Sequence, residues 1–309
     1  MKYYNIGSAD MAVPAVLMGC MHLSELDLAG AQQLISTALE QGVNFFDHAD
    51  VYGDGACEAL FARAMRLDKS LRGRILLQSK CGIVKEGGGY YDFSRQHILQ
   101  SVEGILRRLE TDYLDVLLLH RPDALMQPEE VAAAFDSLHE RGMVRQFGVS
   151  NQNPMQMELL QQTVRQKLLF NQLQFSIAHT PMVDSGICVN TGFDGAVMRE
   201  GGVLEYCRLK GVTIQAWSPF QRGFFEGVFL GDSEHYPALN DKIAEIAQRY
   251  GVTDTAIAVA WILRHPAGMQ VVTGTTKPER LAECAAGADV VLTRQEWYEL
   301  YQAAGNVLP

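Results

Sequence analysis

Short, almost wholly apolar stretches alternate with longer amphipathic segments along most of the chain. Short continuous apolar runs are typical of strands buried on both faces, whereas apolar residues repeating every three or four positions indicate helices. Strands alternating with helices predict a parallel sheet built from βα units. The predicted strands, in chain order, are Ala15–Met21, Asn44–His48, Ile75–Lys80, Leu114–His120, Arg145–Ser150, Phe170–Phe175, Thr213–Ser218 and Met269–Gly274.

Residues suited to helix termini mark several boundaries of the amphipathic segments. Ser94 is a candidate N-cap, Pro128 and Pro154 suit a first helical turn, and Gly142 and Gly211 suit the position after a helix. The predicted helices are Asp27–Gln41, Gln96–Leu109, Pro128–Arg141, Pro154–Thr163, Gly202–Leu209, Asp241–Tyr250, Asp254–Arg264, Pro278–Ala286 and a terminal helix, Arg294–Ala304.

A series of eight strands, each followed by a helix, in 309 residues predicts a (β/α)8 TIM barrel. We expect residues 1–309 to form a single barrel domain with a C-terminal helix, and an open doubly wound sheet is the alternative. The longest irregular stretches, Gly82–Phe93 and Ser176–Gly201, follow the third and sixth predicted strands. Loops on that side of a barrel form the rim of the active site, so we interpret both as substrate loops.

Charge and composition point to a small-molecule partner. The chain has 26 Lys and Arg against 36 Asp and Glu, a net charge of −10, and no basic tract, which argues against nucleic acid and anionic membranes. There is no apolar run long enough to span a bilayer and no signal-peptide pattern at the N-terminus. The six cysteines form no metal-binding pattern and fit reduced thiols. We therefore expect a cytoplasmic protein with no metal and no evident protein partner.

Ionisable residues end three successive buried strands. Asp47 ends the second strand, with Tyr52 shortly after it, while Lys80 ends the third strand and His120 the fourth. Singly, they could be a helix cap, a loop aromatic, a solvated lysine and a hydrogen-bonded core histidine. Together they suggest that Asp47 keeps Lys80 charged and that Lys80 lowers the Tyr52 pKa toward neutrality. A neutral His120 would then orient a carbonyl oxygen, and the missing hydride would come from a cofactor.

The segments around these residues resemble the aldo-keto reductase family. The segments are NFFDHADVYG, LLQSKCG and DVLLLHRPD, and the last, together with FGVSN, is similar to a bacterial general-reductase subgroup. The resemblance extends from Gly19 to about Cys284. It implies a (β/α)8 barrel, NAD(P)(H)-dependent oxidoreduction and a catalytic tetrad of Asp47, Tyr52, Lys80 and His120.

The sequence has no GxGxxG after its first strand, which argues against a Rossmann cofactor site. The family resemblance instead implies that Ser150, Asn151 and Gln172 hold the nicotinamide carboxamide and that Trp217 stacks on the nicotinamide ring. It also implies that the loop from Ser218 to Gly223 binds the pyrophosphate and that the turn from Gly274 to Arg280 binds the adenosine 2′-phosphate. Many members of the family have a lysine at the position of Gly274 and an adenine-contacting asparagine at that of Cys284, and we expect Lys277 to replace the missing positive charge. We predict NADP(H), with NAD(H) as the alternative. The predicted cofactor residues are Cys20, Met21, Asp47, Ser150, Asn151, Gln172, Trp217, Ser218, Pro219, Phe220, Gly223, Gly274, Thr275, Thr276, Lys277, Arg280, Glu283 and Cys284.

The predicted function is reduction of aldehyde and ketone carbonyls, or oxidation of the corresponding alcohols. His48 is expected to pack outside the barrel, because neighbouring strand residues face opposite ways. An aldolase with Lys80 as a Schiff-base nucleophile is one alternative, and a nicotinamide-binding regulatory subunit without turnover is another. The rim residues that suit a small carbonyl substrate are Met21, His22, Arg121, Tyr90, Tyr91, Phe220 and Phe224.

Overall fold

A computed structural model describes residues 1–6, 9–66 and 69–309. Within these ranges, eight parallel strands close into a barrel in the order β3, β4, β5, β8, β9, β10, β11, β12. The predicted TIM barrel is confirmed, and the open-sheet alternative is wrong. The strands are β1 (Tyr3–Ile6), β2 (Met11–Pro14), β3 (Val16–Gly19), β4 (Phe45–Asp47), β5 (Leu76–Cys81), β6 (Ile83–Val84), β7 (Tyr90–Tyr91), β8 (Leu114–Leu119), β9 (Val144–Ser150), β10 (Leu168–Gln174), β11 (Thr213–Trp217) and β12 (Gln270–Thr273).

Helices follow the barrel strands and cover their outer faces. The α-helices in the described ranges are α1 (Leu28–Glu40), α2 (Ala56–Met65), α3 (Lys69–Arg72), α4 (Arg95–Leu109), α5 (Pro128–Glu140), α6 (Pro154–Gln161), α7 (Pro181–Ile187), α8 (Val203–Lys210), α9 (Pro237–Tyr250), α10 (Asp254–Leu263), α11 (Pro278–Ala286) and α12 (Arg294–Ala303). No helix in these same ranges is long and apolar enough to cross a membrane.

Local capping fixes several helix ends close to their predicted positions. The Ser94 hydroxyl accepts a hydrogen bond from the His97 amide at 3.3 Å, so α4 begins at Arg95, one residue earlier than predicted. Pro128 and Pro154 open α5 and α6. Helix α9 begins four residues before its predicted start, because Pro237 already occupies its first turn.

Several elements of the structure are absent from the prediction. The strands of two hairpins, β1–β2 and β6–β7, are only two to four residues long, too short to give a period-two signal. The second hairpin lies in the predicted substrate loop Gly82–Phe93. Helix α2 is also absent from the prediction, although its buried Cys57, Phe61 and Met65 follow helical spacing. The helix α7 occupies part of the other long loop.

The barrel interior changes from apolar to polar along its axis. Phe45 and Asp47 share the inward face of β4, because alternate strand residues point the same way. Phe45 packs edge-on against Phe170 of β10 at a centroid distance of 6.3 Å. Asp47, one layer nearer the carboxyl ends of the strands, contacts buried polar side chains instead. The polar end of the barrel is therefore where ionisable chemistry is placed.

Candidate active site

The four residues of the predicted tetrad lie at the same end of the barrel. Asp47 is the last residue of β4, Lys80 lies near the end of β5, and His120 directly follows β8. These three strands are neighbours in the barrel. Tyr52 lies in the short helical turn that follows β4, and a four-residue loop connects it to Asp47. Parallel strands present their carboxyl ends to one rim, and this brings the four side chains together.

Lys80 connects Asp47 to Tyr52. Its Nζ donates to Asp47 Oδ2 at 2.7 Å, to the His48 carbonyl oxygen at 3.0 Å and to Tyr52 Oη at 3.1 Å. The Lys80 side chain is 0% exposed. An ammonium has three protons, and all three have acceptors here. Lys80 is therefore a buried, fully hydrogen-bonded cation and not a solvated rim lysine.

The protonation states of this group differ from the sequence prediction in one respect. Burial alone would lower the pKa of Lys80, but Asp47 and Tyr52 raise it, and the result lies above the ordinary lysine value. Burial raises the pKa of Tyr52 more than Lys80 lowers it, so this pKa also lies above its ordinary value. The predicted shift of the Tyr52 pKa toward neutrality is wrong. Near neutral pH, Tyr52 is a protonated phenol beside a charged Lys80.

His120 is a neutral imidazole beside the phenol. Burial lowers its pKa well below the ordinary value, and the nearby cations Lys80 and Arg121 lower it further. The His120 ring lies edge-on to the Tyr52 ring, with centroids 5.9 Å apart. Its buried Nδ1 has no hydrogen-bond partner among the residues described. A neutral ring has one donor nitrogen and one acceptor nitrogen, so His120 can hydrogen-bond a ligand oxygen.

The neighbouring His48 has a packing role. It is fully buried, and its ring lies edge-on to Phe61 of α2, with centroids 4.7 Å apart. Burial lowers its pKa to about 3, and the charge on Lys80 contributes. The contact with α2 places His48 on the outer side of the barrel, as its alternation with Asp47 predicts.

Two glutamines hold the second oxygen of Asp47. Gln78 Nε2 donates to Asp47 Oδ1 at 2.6 Å, and Gln172 Nε2 donates to the same oxygen at 3.2 Å. Asp47 therefore receives hydrogen bonds on both of its carboxyl oxygens. Gln172 is predicted to hold a nicotinamide carboxamide, and its amide nitrogen is here directed toward Asp47.

These glutamines belong to a longer network that crosses the barrel. Gln78 and Gln215 exchange amide hydrogen bonds at 2.9 and 3.2 Å. Gln215 also donates to Gln270 at 3.1 Å, and Gln270 donates to the Pro14 carbonyl oxygen at 2.7 Å. Sequence reasoning missed this network. Its signal was present, since Gln78, Gln215 and Gln270 all lie within predicted buried strands, where polar side chains need hydrogen-bond partners.

Two further carboxyl groups, the buried Glu58 and the partly buried Asp50, lie in the segment that follows β4. Glu58 accepts hydrogen bonds from Ser79 Oγ at 2.8 Å and from Arg108 Nε at 2.7 Å. Asp50 lies between Asp47 and Tyr52 in the sequence, and it is partly buried. Burial raises the pKa of Asp50 to about 7, and the nearby Glu58 contributes. The loop that carries Tyr52 thus contains a carboxyl that titrates near neutral pH.

This carboxyl should make stability depend on pH. Its pKa is raised in the folded state, so folding favours the acid, and a destabilisation develops as pH rises from about 4 to about 7. We expect Asp50→Asn to gain stability relative to the wild type over that range, by at most a few kcal/mol. Urea unfolding at the two pH values measures this. The control is Asp241→Asn, at an exposed position on α9. A gain of equal size at both pH values would contradict this titration.

Four predicted cofactor residues form a connected group at the adjacent strand ends. Trp217 Nε1 donates to Asn151 Oδ1 at 3.1 Å, and Asn151 Nδ2 donates to Ser150 Oγ at 2.7 Å. Ser150 Oγ donates to the Gln172 carbonyl oxygen at 3.0 Å. Asn151 and Ser218 have φ values of 58° and 49°. Left-handed conformations at residues other than glycine are uncommon and concentrate at functional sites, where they direct side chains.

The loop after β11 contains the residues predicted to face a pyrophosphate. Pro219 is buried and Phe220 partly buried. The Gly223 carbonyl oxygen accepts a hydrogen bond from Gln174 Nε2 at 2.8 Å. A Cβ on Gly223 would meet the Glu226 carboxylate, so a larger residue would displace that side chain. Glycine therefore suits this close packing.

The turn from β12 into α11 presents free positive charge. Lys277 and Arg280 are both exposed, and neither forms an ion pair within the described ranges. Thr275 Oγ1 accepts a hydrogen bond from the Lys277 amide at 3.1 Å, next to the first turn of α11. Gly274 is exposed, while Thr276 and Glu283 are partly exposed. Two cations, hydroxyls and a helix N-terminus are together suited to bind a phosphate.

Two cysteines of the predicted cofactor set have buried side chains. Cys284 is fully buried, and its Sγ lies 3.5 Å from Thr273 Oγ1. Cys20 is also fully buried, whereas the neighbouring Met21 is 36% exposed. The orientation of Cys284 argues against a contact between its side chain and adenine. Cys20, whose side chain is buried, can contact a cofactor only through its backbone.

Comparison with known proteins shows which family this chain resembles. The model of the aldo/keto reductase family matches residues 15–304. The chain is 36% identical over 284 residues to a 6-dehydroglucose reductase of Agrobacterium fabrum, covering 89% of this chain and 88% of the relative. It is 35% identical over 297 residues to the Escherichia coli oxidoreductase YdhF, with 93% and 92% covered.

A solved structure shows that the similarity extends to the fold. An aldo-keto reductase from Klebsiella pneumoniae, crystallised in complex with NADPH, superposes with a TM-score of 0.77. It is 25% identical in sequence, and the match covers 97% of this chain and 94% of that one. The family match, the barrel and the placement of the strand-end residues agree, and the chain is an oxidoreductase that belongs to the aldo/keto reductase family.

Proposed function

We propose that this protein interconverts small aldehydes or ketones and their alcohols, using a nicotinamide cofactor, with NADP(H) preferred over NAD(H). The observation that carries the proposal is the buried Lys80 ammonium, which bridges Asp47 and Tyr52 beside a neutral His120. We further propose that these four residues are the catalytic tetrad. Comparing the oxidation of NADPH and of NADH in the presence of aldehydes, ketones, quinones and aldoses, with the product identified, tests this function.

In the reducing direction, Tyr52 is the general acid. Its phenol proton is available to a carbonyl oxygen because its pKa remains high, and Lys80 stabilises the phenolate left after proton transfer. The Lys80 ammonium in turn depends on the carboxylate of Asp47. His120 donates a hydrogen bond to the same oxygen and sets the orientation of the carbonyl. In the oxidising direction, the Tyr52–Lys80 pair receives the proton.

The cofactor site is proposed from the chemistry of the groups present. Asn151 and Ser150 offer amide and hydroxyl groups at the strand ends, where a carboxamide can be bound. The flat ring of Trp217 suits a planar nicotinamide. The exposed Lys277 and Arg280 beside the N-terminus of α11 suit a 2′-phosphate. When bound, the cofactor supplies the hydride that no side chain here can provide.

An aldolase mechanism fits the site less well. A Schiff-base lysine needs a neutral amine, which burial or neighbouring cations favour by lowering its pKa. The partners of Lys80 act in the opposite direction and hold its pKa above the ordinary value. Its three protons are also committed to Asp47, the His48 carbonyl oxygen and Tyr52.

A regulatory subunit without turnover is the remaining alternative. Such a protein could bind nicotinamide without the proton-transfer groups of a reductase. The intact hydrogen bonds from Lys80 to Asp47 and Tyr52 favour turnover. A protein that binds NADPH but reduces no carbonyl compound would support the regulatory alternative.

Arg280 provides a test of the cofactor preference. Removing a guanidinium that binds a phosphate eliminates charge-assisted hydrogen bonds worth roughly 1.5–3 kcal/mol. We therefore expect Arg280→Ala to weaken NADPH binding about 10- to 100-fold and to leave NADH binding nearly unchanged. Fluorescence titration of both cofactors measures this. Arg294→Ala, at an exposed position on α12, is the matched control. Equal losses for both cofactors would contradict a role for Arg280 at the 2′-phosphate.

A further inference from the structure

Arg121 is a cation at the mouth of the candidate site, and no anionic partner for it is found among the described residues. It directly follows His120, and its guanidinium carbon lies 5.5 Å from the centroid of the Trp217 ring and 5.2 Å from that of Phe224. The two rings are nearly perpendicular, at 84°, so the guanidinium occupies the corner between them. The side chain is thus placed by aromatic faces beside the residues that would contact a substrate.

The absence of a counter-ion is unusual for a partly buried arginine. No carboxylate lies within 4.0 Å of the Arg121 guanidinium in the described part of the chain. Arg72, by contrast, stacks on Tyr113 at 3.7 Å and also pairs with Asp115 at 2.8 Å. Partly removing a charge from water is unfavourable unless an opposite charge compensates it.

The acidic residue nearest to Arg121 in the sequence does not compensate its charge. This residue, Asp123, is engaged in capping, since its oxygens accept from the amides of Phe93 and Leu125 at 2.9 and 2.8 Å. Burial lowers the pKa of Arg121, but a guanidinium stays protonated at neutral pH. A permanent positive charge therefore faces the space next to Tyr52 and His120.

We propose that Arg121 binds an oxyanion carried by the substrate, so that the enzyme prefers carbonyl compounds bearing a carboxylate. The guanidinium fork matches a carboxylate with two parallel hydrogen bonds, and a bound carboxylate supplies the missing counter-charge. A phosphate ester shares this oxyanion chemistry, and the experiment separates the two. The inference rests on the proposed carbonyl reduction, to which it adds a class of substrate.

The experiment compares charged and uncharged versions of the same aldehyde. The carboxylate pair is 4-oxobutanoate and its methyl ester, and the phosphate pair is glyceraldehyde 3-phosphate and glyceraldehyde. For the wild type, we expect a higher kcat/KM for 4-oxobutanoate than for its ester, with the advantage decreasing as salt increases. In Arg121→Met, the ratio of the two kcat/KM values should fall about 10- to 100-fold. Arg121→Lys should recover only part of it, because an ammonium lacks the planar fork.

Arg63→Met, an exposed position on α2, is the charge-matched control and should leave the ratio unchanged. An unchanged ratio in Arg121→Met, with the ester still reduced, would overturn the anion site but leave the proposed function intact. A larger effect on the phosphate pair than on the carboxylate pair would overturn the preference for carboxylates. Failure of the wild type to reduce all four compounds, together with the wider carbonyl panel, would instead count against the proposed function.

Discussion

Replacing Tyr52 by Phe is expected to lower kcat for carbonyl reduction by about 10²- to 10⁴-fold, the usual effect of losing a general acid. The substitution removes one oxygen and keeps the ring that packs beside His120. NADPH affinity should change little, because the proposed cofactor contacts lie on other strand ends. Steady-state kinetics and fluorescence titration of NADPH measure the two quantities separately.

The matched control for this change is Tyr3→Phe, which removes a hydroxyl from the exposed strand β1, outside the candidate site. We expect it to leave kcat within a few-fold of the wild type. If Tyr52→Phe retained the wild-type kcat, Tyr52 would not be the proton donor. A loss of NADPH binding in the same variant would assign Tyr52 to the cofactor site instead.

Replacing Lys80 by Met is expected to affect both activity and stability. The variant leaves the Asp47 carboxylate buried without its cation, and breaking a buried ion pair typically destabilises a protein by about 3–5 kcal/mol. Tyr52 also loses the charge that stabilises its phenolate, so turnover should fall at least as far as in Tyr52→Phe. Urea unfolding and steady-state kinetics measure the two effects.

A double variant separates two causes of the lost stability, the unpaired buried charge and the changed shape of the side chain. Asp47→Asn combined with Lys80→Met removes both charges and leaves no unpaired ion. We expect its loss of stability to be smaller than the sum of the two single losses by at least about 1 kcal/mol, as is usual for residues in direct contact. Activity should remain lost in the double variant. Strictly additive losses of stability would contradict the ion pair between Asp47 and Lys80.

The sequence is informative where local pattern and burial agree. Most residues of the barrel strands are apolar, and the ionisable residues at three strand ends depart from that pattern. Such violations are costly in a buried position without a partner, which is why Asp47, Lys80 and His120 stand out in the amino-acid sequence alone. The parallel barrel requires the carboxyl ends of their strands to meet.

The sequence is less informative about properties that depend on several strands at once. Gln78, Gln215 and Gln270 are separated by up to 192 positions, and only the barrel register brings them into one network. The pKa of Tyr52 likewise depends on the balance between burial and the charge of Lys80. The sequence contains the lysine but does not show how deeply Tyr52 is buried. It therefore predicts a lowered Tyr52 pKa, whereas the pKa in the structure is raised.

Reduction of a carbonyl compound by hydride transfer from NADPH is the activity proposed for this chain. The most direct measurement uses NADPH deuterated at C4 of the reduced nicotinamide, with mass spectrometry of the alcohol formed from an aldehyde that the wild type reduces. We expect deuterium on the carbinol carbon in the wild type and an alcohol yield at least about 100-fold lower in Tyr52→Phe over the same interval. Alcohol without deuterium from either C4 position, or no alcohol from any carbonyl compound in the panel, would contradict the claim.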